Sequence, residues 1–378
     1  MSGFQVQGWC PGALRPMLSG DGLVVRLRPV LGRLNQTQAE GLAAAAVKHG
    51  NGLMDLTARG NLQLRGVREQ SHAALISELQ ALGLVDADLQ TEARRNLLVT
   101  PFADAVTEAL ALAVTRALAA GPDLPGKFGF VVDSGPAPVL SATAGDIRLE
   151  RDETGGLILR ADGAELGAPV SAENAPEAAV ALARWFLAAG GVRDGRGRMA
   201  ALIARGIHPE GALAGTTRPA PAPPPPGPGL VPQGALAALE FGQVEAGALA
   251  ALAAIGPLRL TPWRMLLIEG VQQLPDLPGL ILSGDDPRLR VVACTGAPGC
   301  RQGHRAVRGL ARALAADVPP GRVLHVSGCA KGCAHPGPAD LTLIATSEGF
   351  DLVRNGRAQD KAGQQLPADG LIDLKGLF

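Results

Sequence analysis

Short runs of apolar residues alternate along the chain with longer segments in which apolar residues recur every three or four positions. The short runs predict buried strands, for example over 96–99 and 128–132. The longer segments predict helices with one apolar face, for example over 105–120 and 176–189. Elements of both kinds follow one another along the whole chain, which indicates layered sheets and helices of the α+β and α/β classes.

Two stretches of the sequence repeat the order strand, helix, strand–turn–strand. The first has these elements over 23–29, 38–49 and 56–67, and the second over 236–242, 244–254 and 260–271. Leu, Thr, Leu, Gly and Val coincide in register between the two strand–turn–strand segments. Such self-similarity predicts a duplicated unit, with chance similarity in a chain rich in Ala and Leu as the alternative.

A proline-rich segment divides the chain into a longer N-terminal and a shorter C-terminal part. Eight of the 14 residues of 219–232 are proline, and such a stretch is extended, stiff and unable to join a packed core. The 378 residues also exceed the ~100–200 residues of a usual single domain. We therefore expect several domains, arranged on the two sides of this linker.

Composition and charge exclude several classes of protein. The 35 basic residues balance the 35 acidic ones, which disfavours a broadly basic nucleic-acid-binding protein. Aromatic residues make up 3% of the chain and tyrosine is absent, so stacking platforms for bases are lacking. The first residues do not resemble a signal peptide, and no apolar run reaches the ~18 residues of a membrane span. These features predict a soluble, cytoplasmic protein.

Four of the five cysteines lie close to the C-terminus, at Cys294, Cys300, Cys329 and Cys333. Structural zinc sites favour C-x2–4-C spacings in both halves, and the five residues between the first two cysteines break that rule. Iron–sulfur clusters take thiolates from loops of varied length. The spacing therefore favours a [4Fe-4S] cluster, with four unrelated buried thiols or a zinc knuckle as alternatives.

The residues around these cysteines agree with a cluster site. Each cysteine has a glycine nearby, and both pairs follow predicted strands, where open α/β sheets place their ligands. Lys331 is available to offset the negative charge of the thiolates. The three nearby histidines could ligate a mononuclear iron or, more ordinarily, satisfy backbone groups: His304, His325 and His335. Cys10 has no neighbouring partner and is interpreted as a structural or incidental thiol.

The cysteine set, the repeated hairpin and three basic motifs resemble those of the sulfite/nitrite reductase superfamily. Within it, the segments 10–17 and 19–23 are similar to the start of the precorrin-3B synthases, a family of aerobic cobalamin biosynthesis. The resemblance implies duplicated ferredoxin-like half-domains of the sulfite reductase type and two α/β domains around a [4Fe-4S]–tetrapyrrole site. The implied boundaries are 1–95 for the first ferredoxin-like repeat, 96–215 for an α/β domain, 216–233 for the linker, 234–282 for the second repeat and 283–378 for the iron–sulfur domain.

Three catalytic residues follow from the resemblance. Arg59 matches the arginine of a Thr-x-Arg strand motif that faces the tetrapyrrole, and Arg95 matches an Arg-Asn dipeptide. Lys127 is the first lysine of a Lys-Phe-Lys motif, whose second lysine is Gly129 here. The missing lysine argues against six-electron reduction of sulfite or nitrite, which needs a dense cationic, proton-donating pocket.

A tetrapyrrole with several carboxylates calls for arginines that pair with them in a bidentate manner. The alternative for such residues is a solvated strand face. The basic residues available for this role are Arg26, Arg28, Arg59, Arg65, Arg94, Arg95 and Lys127.

The resemblance implies an iron–sulfur monooxygenase that hydroxylates precorrin-3A with formation of a lactone, using electrons from a separate donor protein. A sirohaem-dependent nitrite or sulfite reductase is the alternative, and an electron-carrier or cluster-storage protein is a third possibility. A glycine-rich stretch over 195–200 fits a dinucleotide fingerprint only superficially, because no strand precedes it. No nucleic-acid or membrane partner is expected.

Overall fold

The structure is a computed structural model that describes residues 11–275, 277, 279–367, 374 and 376–378. Cys10 lies outside the described residues, so its interpretation stays a prediction. None of the helices in the described ranges has the length and apolar character that crossing a membrane requires.

The N-terminal unit is a sheet with helices packed on one face. Its first helix begins at Asn35, whose side chain accepts a hydrogen bond from the Gln38 amide while the Gln38 side chain accepts one from the Asn35 amide. Its elements are β1 (Met17–Leu18), β2 (Leu23–Leu27), β3 (Arg33–Leu34), α1 (Gln36–His49), β4 (Leu53–Leu56), β5 (Leu62–Val67), α2 (His72–Ala81) and α3 (Leu89–Arg94).

The next unit is a mixed sheet with strand order β10-β9-β8-β7-β6, in which β6, β7 and β8 are parallel and the remaining pairs antiparallel. Two helices pack on it around the buried Phe186. Its elements are β6 (Leu97–Val99), α4 (Ala105–Ala119), β7 (Phe130–Asp133), β8 (Ile147–Arg151), β9 (Leu157–Ala161), β10 (Ala168–Pro169), α5 (Ala175–Ala188) and α6 (Met199–Ile203).

The C-terminal half repeats this succession. Its ferredoxin-like unit has β11 (Gly229–Val231), β12 (Gly234–Leu239), β13 (Gln243–Glu245), α7 (Ala246–Ile255), β14 (Leu258–Leu260), β15 (Met265–Glu269) and β16 (Leu280–Ile281). Its α/β unit has β17 (Val291–Ala293), α8 (Arg308–Leu314), β18 (Leu324–Ser327), β19 (Ala339–Ala345), β20 (Gly349–Gly356) and β21 (Gln364–Pro367).

The two ferredoxin-like units exchange a short strand. β3 of the first pairs with β14 of the second, and β13 of the second pairs with β4 of the first. α1 also packs against α7, and one hydrophobic core contains residues of both helices and both sheets. The predicted duplicated fold of mixed α+β class is confirmed.

Details of backbone geometry repeat as well. The turn before the exchanged strand has a left-handed residue at Leu31 (φ 58°) in one copy and at Phe241 (φ 54°) in the other. The two α/β sheets also share one topology, since β17, β18 and β19 are parallel and β20 and β21 continue antiparallel. The duplication therefore covers both ferredoxin-like and α/β units.

Two predicted elements differ from the structure. The helix predicted near 303–316 begins only at Arg308, because the Gly303 amide donates to the Cys300 carbonyl and the His304 amide to the Gly328 carbonyl. The proline-rich segment is not a free linker throughout. The Ala220 amide donates to the Arg151 carbonyl, and β11 pairs with β12 at a sheet edge.

Asp133, at the end of β7, generates a prediction about stability and pH. Its Oδ2 accepts from the Leu140 amide at 2.7 Å, whereas its buried Oδ1 has no hydrogen-bond partner in the described structure. Burial raises the pKa of Asp133 from 3.8 to about 6. Because the folded state holds this proton more tightly than the unfolded state, its stabilising contribution is present below pH 3.8 and is lost as pH rises to 6.

We therefore expect Asp133→Asn to gain about 2 kcal/mol of unfolding free energy relative to the unsubstituted protein between pH 4 and pH 7. Urea unfolding at several pH values measures this. Asp317→Asn, at an exposed position, is the control whose effect should not vary over that range. Parallel pH profiles for Asp133→Asn and the unsubstituted protein would contradict the prediction.

Candidate functional site

The cysteine loops begin where two adjacent parallel strands end. β17 leads directly into Cys294, and β18 ends two residues before Cys329. The Gly328 amide donates to the Cys294 sulfur at 3.1 Å, which joins the two loops. The carboxyl ends of parallel strands meet at one edge of the sheet, so the predicted placement of both pairs is reproduced.

The four thiols lie close enough to influence one another electrostatically. Desolvation raises the pKa of the Cys329 thiol, and the charges of Cys300 and Cys294 add to this shift. Desolvation and the charge of Cys294 together raise the pKa of Cys333 to about 11, while Lys331 opposes the shift. The structure therefore brings all four predicted ligands to one place, with Lys331 beside them.

The structure limits both the ways in which these residues can hold a metal and the residues that the loops accept. No group of three or more His, Cys, Asp or Glu residues in the described ranges is arranged to hold one ion. The loops also need glycine: a Cβ on Gly328 would lie 2.9 Å from the Gly296 Cα and 3.4 Å from the Cys294 sulfur. Metal binding would displace the protons that the raised pKa values leave on Cys329 and Cys333.

The segment 19–22 holds the first cysteine loop against the N-terminal sheet. Ser19 Oγ donates to the Gly299 carbonyl at 2.7 Å, and Arg65 Nη2 donates to the same carbonyl at 2.6 Å. Asp21 in turn accepts from Arg65 Nε at 3.1 Å. A Cβ on Gly20 would lie 1.9 Å from the Pro298 carbonyl oxygen, so only glycine permits this approach.

The sheet face that meets this loop is polar in the first copy of the repeat and apolar in the second. Arg26 lies opposite Gln63 in the first sheet, and Leu236 lies opposite Leu267 at the same register in the second. Two positions further along, Arg28 corresponds to Ala238. The duplicated scaffold thus carries arginines on one of its two equivalent faces.

The apolar face of the second copy is covered. Leu236, Ala238 and Leu267 form a small core against which Phe102 and Trp263 pack. The two aromatic rings lie 6.1 Å apart. This face therefore has no room for a ligand without displacement of those rings, whereas the first face carries the charged groups.

The arginines of the first face repel one another. Burial and the charges of Arg26 and Arg95 together lower the pKa of Arg28 to about 10, against the opposing effects of Glu92 and Asp86. Arg28 donates to the Glu92 carbonyl at 2.7 Å, and its Nε has no partner in the described structure. A site of this kind favours an anion, because a carboxylate would relieve both the repulsion and the unpaired donor.

The three sequence-predicted basic motifs lie next to one another. Arg59 occupies the turn between β4 and β5 and not a strand, and its Nη1 donates to the Lys127 carbonyl at 3.0 Å. Asn96, which follows Arg95, donates to the Phe128 carbonyl at 2.6 Å. The motifs of Arg59, Arg95 and Lys127 are thus linked through the backbone of 127–128.

Besides Arg65, which pairs with Asp21, two more of the predicted arginines are already paired within the protein. Arg95 binds Asp86 through two hydrogen bonds of 2.8 and 2.9 Å, so its charge is largely compensated. Arg94 donates to the Ala119 carbonyl at the end of α4 and to Asp123. Arg94 therefore supports the α/β unit, and the interpretation of it as a ligand-binding residue is not supported.

Gly129 has a structural reason to remain glycine. A Cβ at this position would lie 2.9 Å from Asn96 Nδ2. The Gly129 amide also donates to the buried Asp146 at 2.9 Å. A lysine at this position would therefore require the end of the Asn96 side chain to move.

The histidines near the cysteines differ in their environment. His325 is fully buried, with both ring nitrogens unpartnered in the described structure, and burial lowers its pKa to about 4. His335 contacts it edge-on at 5.6 Å and lies 3.0 Å from the Pro338 carbonyl through Nε2. His304 is exposed. These three form no ligand set for a mononuclear iron, which therefore stays a hypothesis.

Sequence reasoning missed Arg264 and Asp55. Asp55 joins the first sheet to the C-terminal unit through an ion pair of 3.1 Å with Arg308. Arg264 reaches the loop after Cys333, where its Nη2 donates to the Ala334 carbonyl at 2.7 Å. The signal for Arg264 was present in the repeat, because it replaces a glycine in the second hairpin.

Comparisons with known proteins agree with this architecture. The sequence profile of the nitrite/sulfite reductase ferredoxin-like half domain matches residues 15–82. Among solved structures, the Mycobacterium tuberculosis NirA protein has a TM-score of 0.64 and 20% identity, covering 92% of this chain and 77% of that one. At that identity the likeness establishes the fold.

A curated relative is considerably more similar in sequence. A precorrin-3B synthase from Sinorhizobium sp is 31% identical over 413 aligned positions, which cover 93% of this chain and 83% of that protein. The resemblance inferred from the sequence motifs is confirmed. Identity at this level over nearly the whole chain, on the duplicated fold described above, shows that the chain belongs to the precorrin-3B synthase family.

Proposed function

We propose that this protein is an oxygen-dependent monooxygenase that hydroxylates precorrin-3A, with formation of a lactone, in aerobic cobalamin biosynthesis. The observation that carries the proposal is the charged sheet face: Arg26 and Arg28 stand where the second copy has Leu236 and Ala238. Family membership supports the choice of substrate, since the relative at 31% identity is a precorrin-3B synthase.

The substrate would lie on this face, next to the first cysteine loop. A precorrin carries several acetate and propionate carboxylates, and guanidinium groups bind carboxylates with two parallel hydrogen bonds. The unpartnered Nε of Arg28 and the repulsion between Arg26 and Arg28 favour such binding. Arg59 and Lys127, which share a hydrogen bond, would hold the opposite side of the ring.

Cys294, Cys300, Cys329 and Cys333 would bind a [4Fe-4S] cluster, which supplies single electrons when bound. The reaction needs two electrons and two protons for each dioxygen: one oxygen atom enters the substrate and the other leaves as water. The electrons would come from an external donor protein. The exposed Lys127 ammonium is a proton donor on the substrate side.

The packing at Gly129 weighs against the alternative of a sirohaem-dependent reductase. Reduction of sulfite or nitrite draws several protons and needs several cations around a small anion. Asn96 fills the space that a second lysine would enter, and Arg95 is compensated by Asp86. The described region around Asn96 and Arg95 therefore has too few free cations for a small anion, and it fits one carboxylate-bearing edge of a large substrate better.

The proposal predicts that anaerobically purified protein contains iron and sulfide and, with a reduced donor and oxygen, converts precorrin-3A to the hydroxylated lactone. With 18O2, one labelled oxygen should appear in the product, as mass spectrometry would detect. Cys294→Ala should abolish both cluster and product, whereas Cys10→Ser should retain both.

Bound sirohaem, together with oxidation of the donor that depends on sulfite or nitrite, would establish the reductase instead. A cluster without any tetrapyrrole affinity would indicate an electron carrier.

A second prediction concerns the charged face. Arg26→Leu gives the first sheet the residue that the second sheet has at the same register. Loss of one charge-assisted contact costs about 1.5–3 kcal/mol, so we expect about 10–100-fold weaker binding of precorrin-3A. Anaerobic absorbance titration measures this. Arg116→Leu, on the exposed surface of α4, is the matched control. Equal dissociation constants for Arg26→Leu and the control would place the substrate elsewhere.

A further inference from the structure

Arg264 has a backbone conformation that arginine rarely adopts. Its φ is 59°, in the left-handed region, which costs free energy for a residue with a Cβ but not for glycine. The turn around it is otherwise regular: Thr261 Oγ1 accepts from the Trp263 amide at 3.2 Å and from the Met265 amide at 3.3 Å. A residue that persists under such strain is held by its side chain or selected for its role.

The other copy of the repeat shows what this turn requires. There, Thr57 Oγ1 accepts from the Arg59 amide at 3.3 Å and from the Asn61 amide at 3.2 Å. Gly60 occupies the position of Arg264, with a φ of 61°. The turn therefore forms with glycine, and the arginine of the second copy is not needed to build it.

The side chain of Arg264 extends beneath the second cysteine loop. Its Cγ and Cδ pack on Gly242, where a Cβ would lie 3.1 Å from either atom. Its Nη2 donates to the carbonyl of Ala334, the residue after Cys333. Its charge also lowers the pKa of the buried His325, on the strand that leads to Cys329.

The guanidinium is cationic and poorly compensated. It forms no ion pair with the carboxylates in the described part of the chain, and the nearest acidic influence, Asp55, is already bonded to Arg308 and Gln243. Burial and the charge of Arg308 lower the pKa of Arg264. Since arginine remains protonated in proteins, this place in the fold carries a fixed positive charge.

We propose that Arg264 is a positioning residue for the iron–sulfur cluster: it fixes the loop that carries Cys333 and raises the cluster's reduction potential. The inference rests on the four-cysteine cluster of the proposed function. Reduction adds one negative charge to the cluster, and a fixed cation close by in a poorly solvated region stabilises that charge. The hydrogen bond to Ala334 holds the loop in the geometry that the cluster requires.

Three substitutions separate charge from backbone effects. Arg264→Gly removes the side chain and relieves the strained φ, so the turn should form as it does at Gly60. Arg264→Gln removes the charge and keeps an amide donor, and Arg264→Lys keeps the charge. Arg312→Gln is the control, because the exposed Arg312 of α8 pairs with Glu240 at the protein surface.

The measurements are the midpoint potential of the cluster, by EPR-monitored redox titration, and the rate of iron loss to a chelator. We expect lower midpoint potentials for Arg264→Gly and Arg264→Gln than for the unsubstituted protein, Arg264→Lys and the control. We also expect several-fold faster iron loss for Arg264→Gly.

Unchanged potentials in Arg264→Gly and Arg264→Gln would overturn the electrostatic role, and unchanged iron loss would overturn the positioning role. Far-UV circular dichroism of Arg264→Gly checks that the variant is folded. If the unsubstituted protein bound neither iron nor sulfide, the cluster of the proposed function would be wrong, and the inference about Arg264 would be wrong with it. The iron and sulfide content therefore distinguishes the two failures.

Discussion

The exchange of β3 and β13 between the two ferredoxin-like units is the constraint on which the arrangement of the site depends. Because β13 pairs with β4, Gln243 comes within 3.1 Å of Asp55. Asp55 in turn bonds Arg308 at the start of α8. The exchanged strand thereby fixes the polar face of the first sheet against the unit that carries the cysteines. A hinge between the two ferredoxin-like units would separate the arginines from the thiols. The hydrophobic core that α1 and α7 share holds the two units together.

Charge is distributed unevenly over this frame. Arg65 is buried and compensated by Asp21, so it holds backbone and loop together. Arg28 and Arg264 keep their charge in poorly solvated places without a paired carboxylate in the described structure. Uncompensated cations cost stability in a folded protein unless an anion binds near them. Arg28 donates to the Glu92 carbonyl and Arg264 to the Ala334 carbonyl next to Cys333, so each cation is held by a backbone oxygen and keeps its net charge.

The sequence was most informative where chemistry is encoded by local spacing. The cysteine pairs and the strands before them could be predicted because each loop is short and follows an apolar run. The motif that begins at Thr57 was also recognisable. Its arginine, Arg59, was predicted in a strand but lies in the turn, because the ends of an element cannot be read from sequence to the exact residue. Pairing partners could not be predicted, because the bond between Arg95 and Asp86 depends on how α3 leaves the sheet.

Arg264 and the start of α8 escaped prediction for related reasons. A helical pattern over 303–307 was present, but the amides of Gly303 and His304 are used by the cysteine loops, and tertiary hydrogen bonds overrode local propensity. Arg264 stands opposite Gly60 in the aligned hairpins, but its left-handed φ and its hydrogen bond to the Ala334 carbonyl could not be read from the sequence.

The packing of Trp263 against Phe102 makes the two copies of the repeat unequal. When a gene segment doubles, both daughters begin with the same cleft. Here the sheet face of the second copy is covered by one indole and one phenyl ring from separate units. The two copies of the repeat have therefore diverged in chemistry while keeping one backbone topology: one sheet face carries guanidinium groups and the corresponding face is closed by aromatic rings.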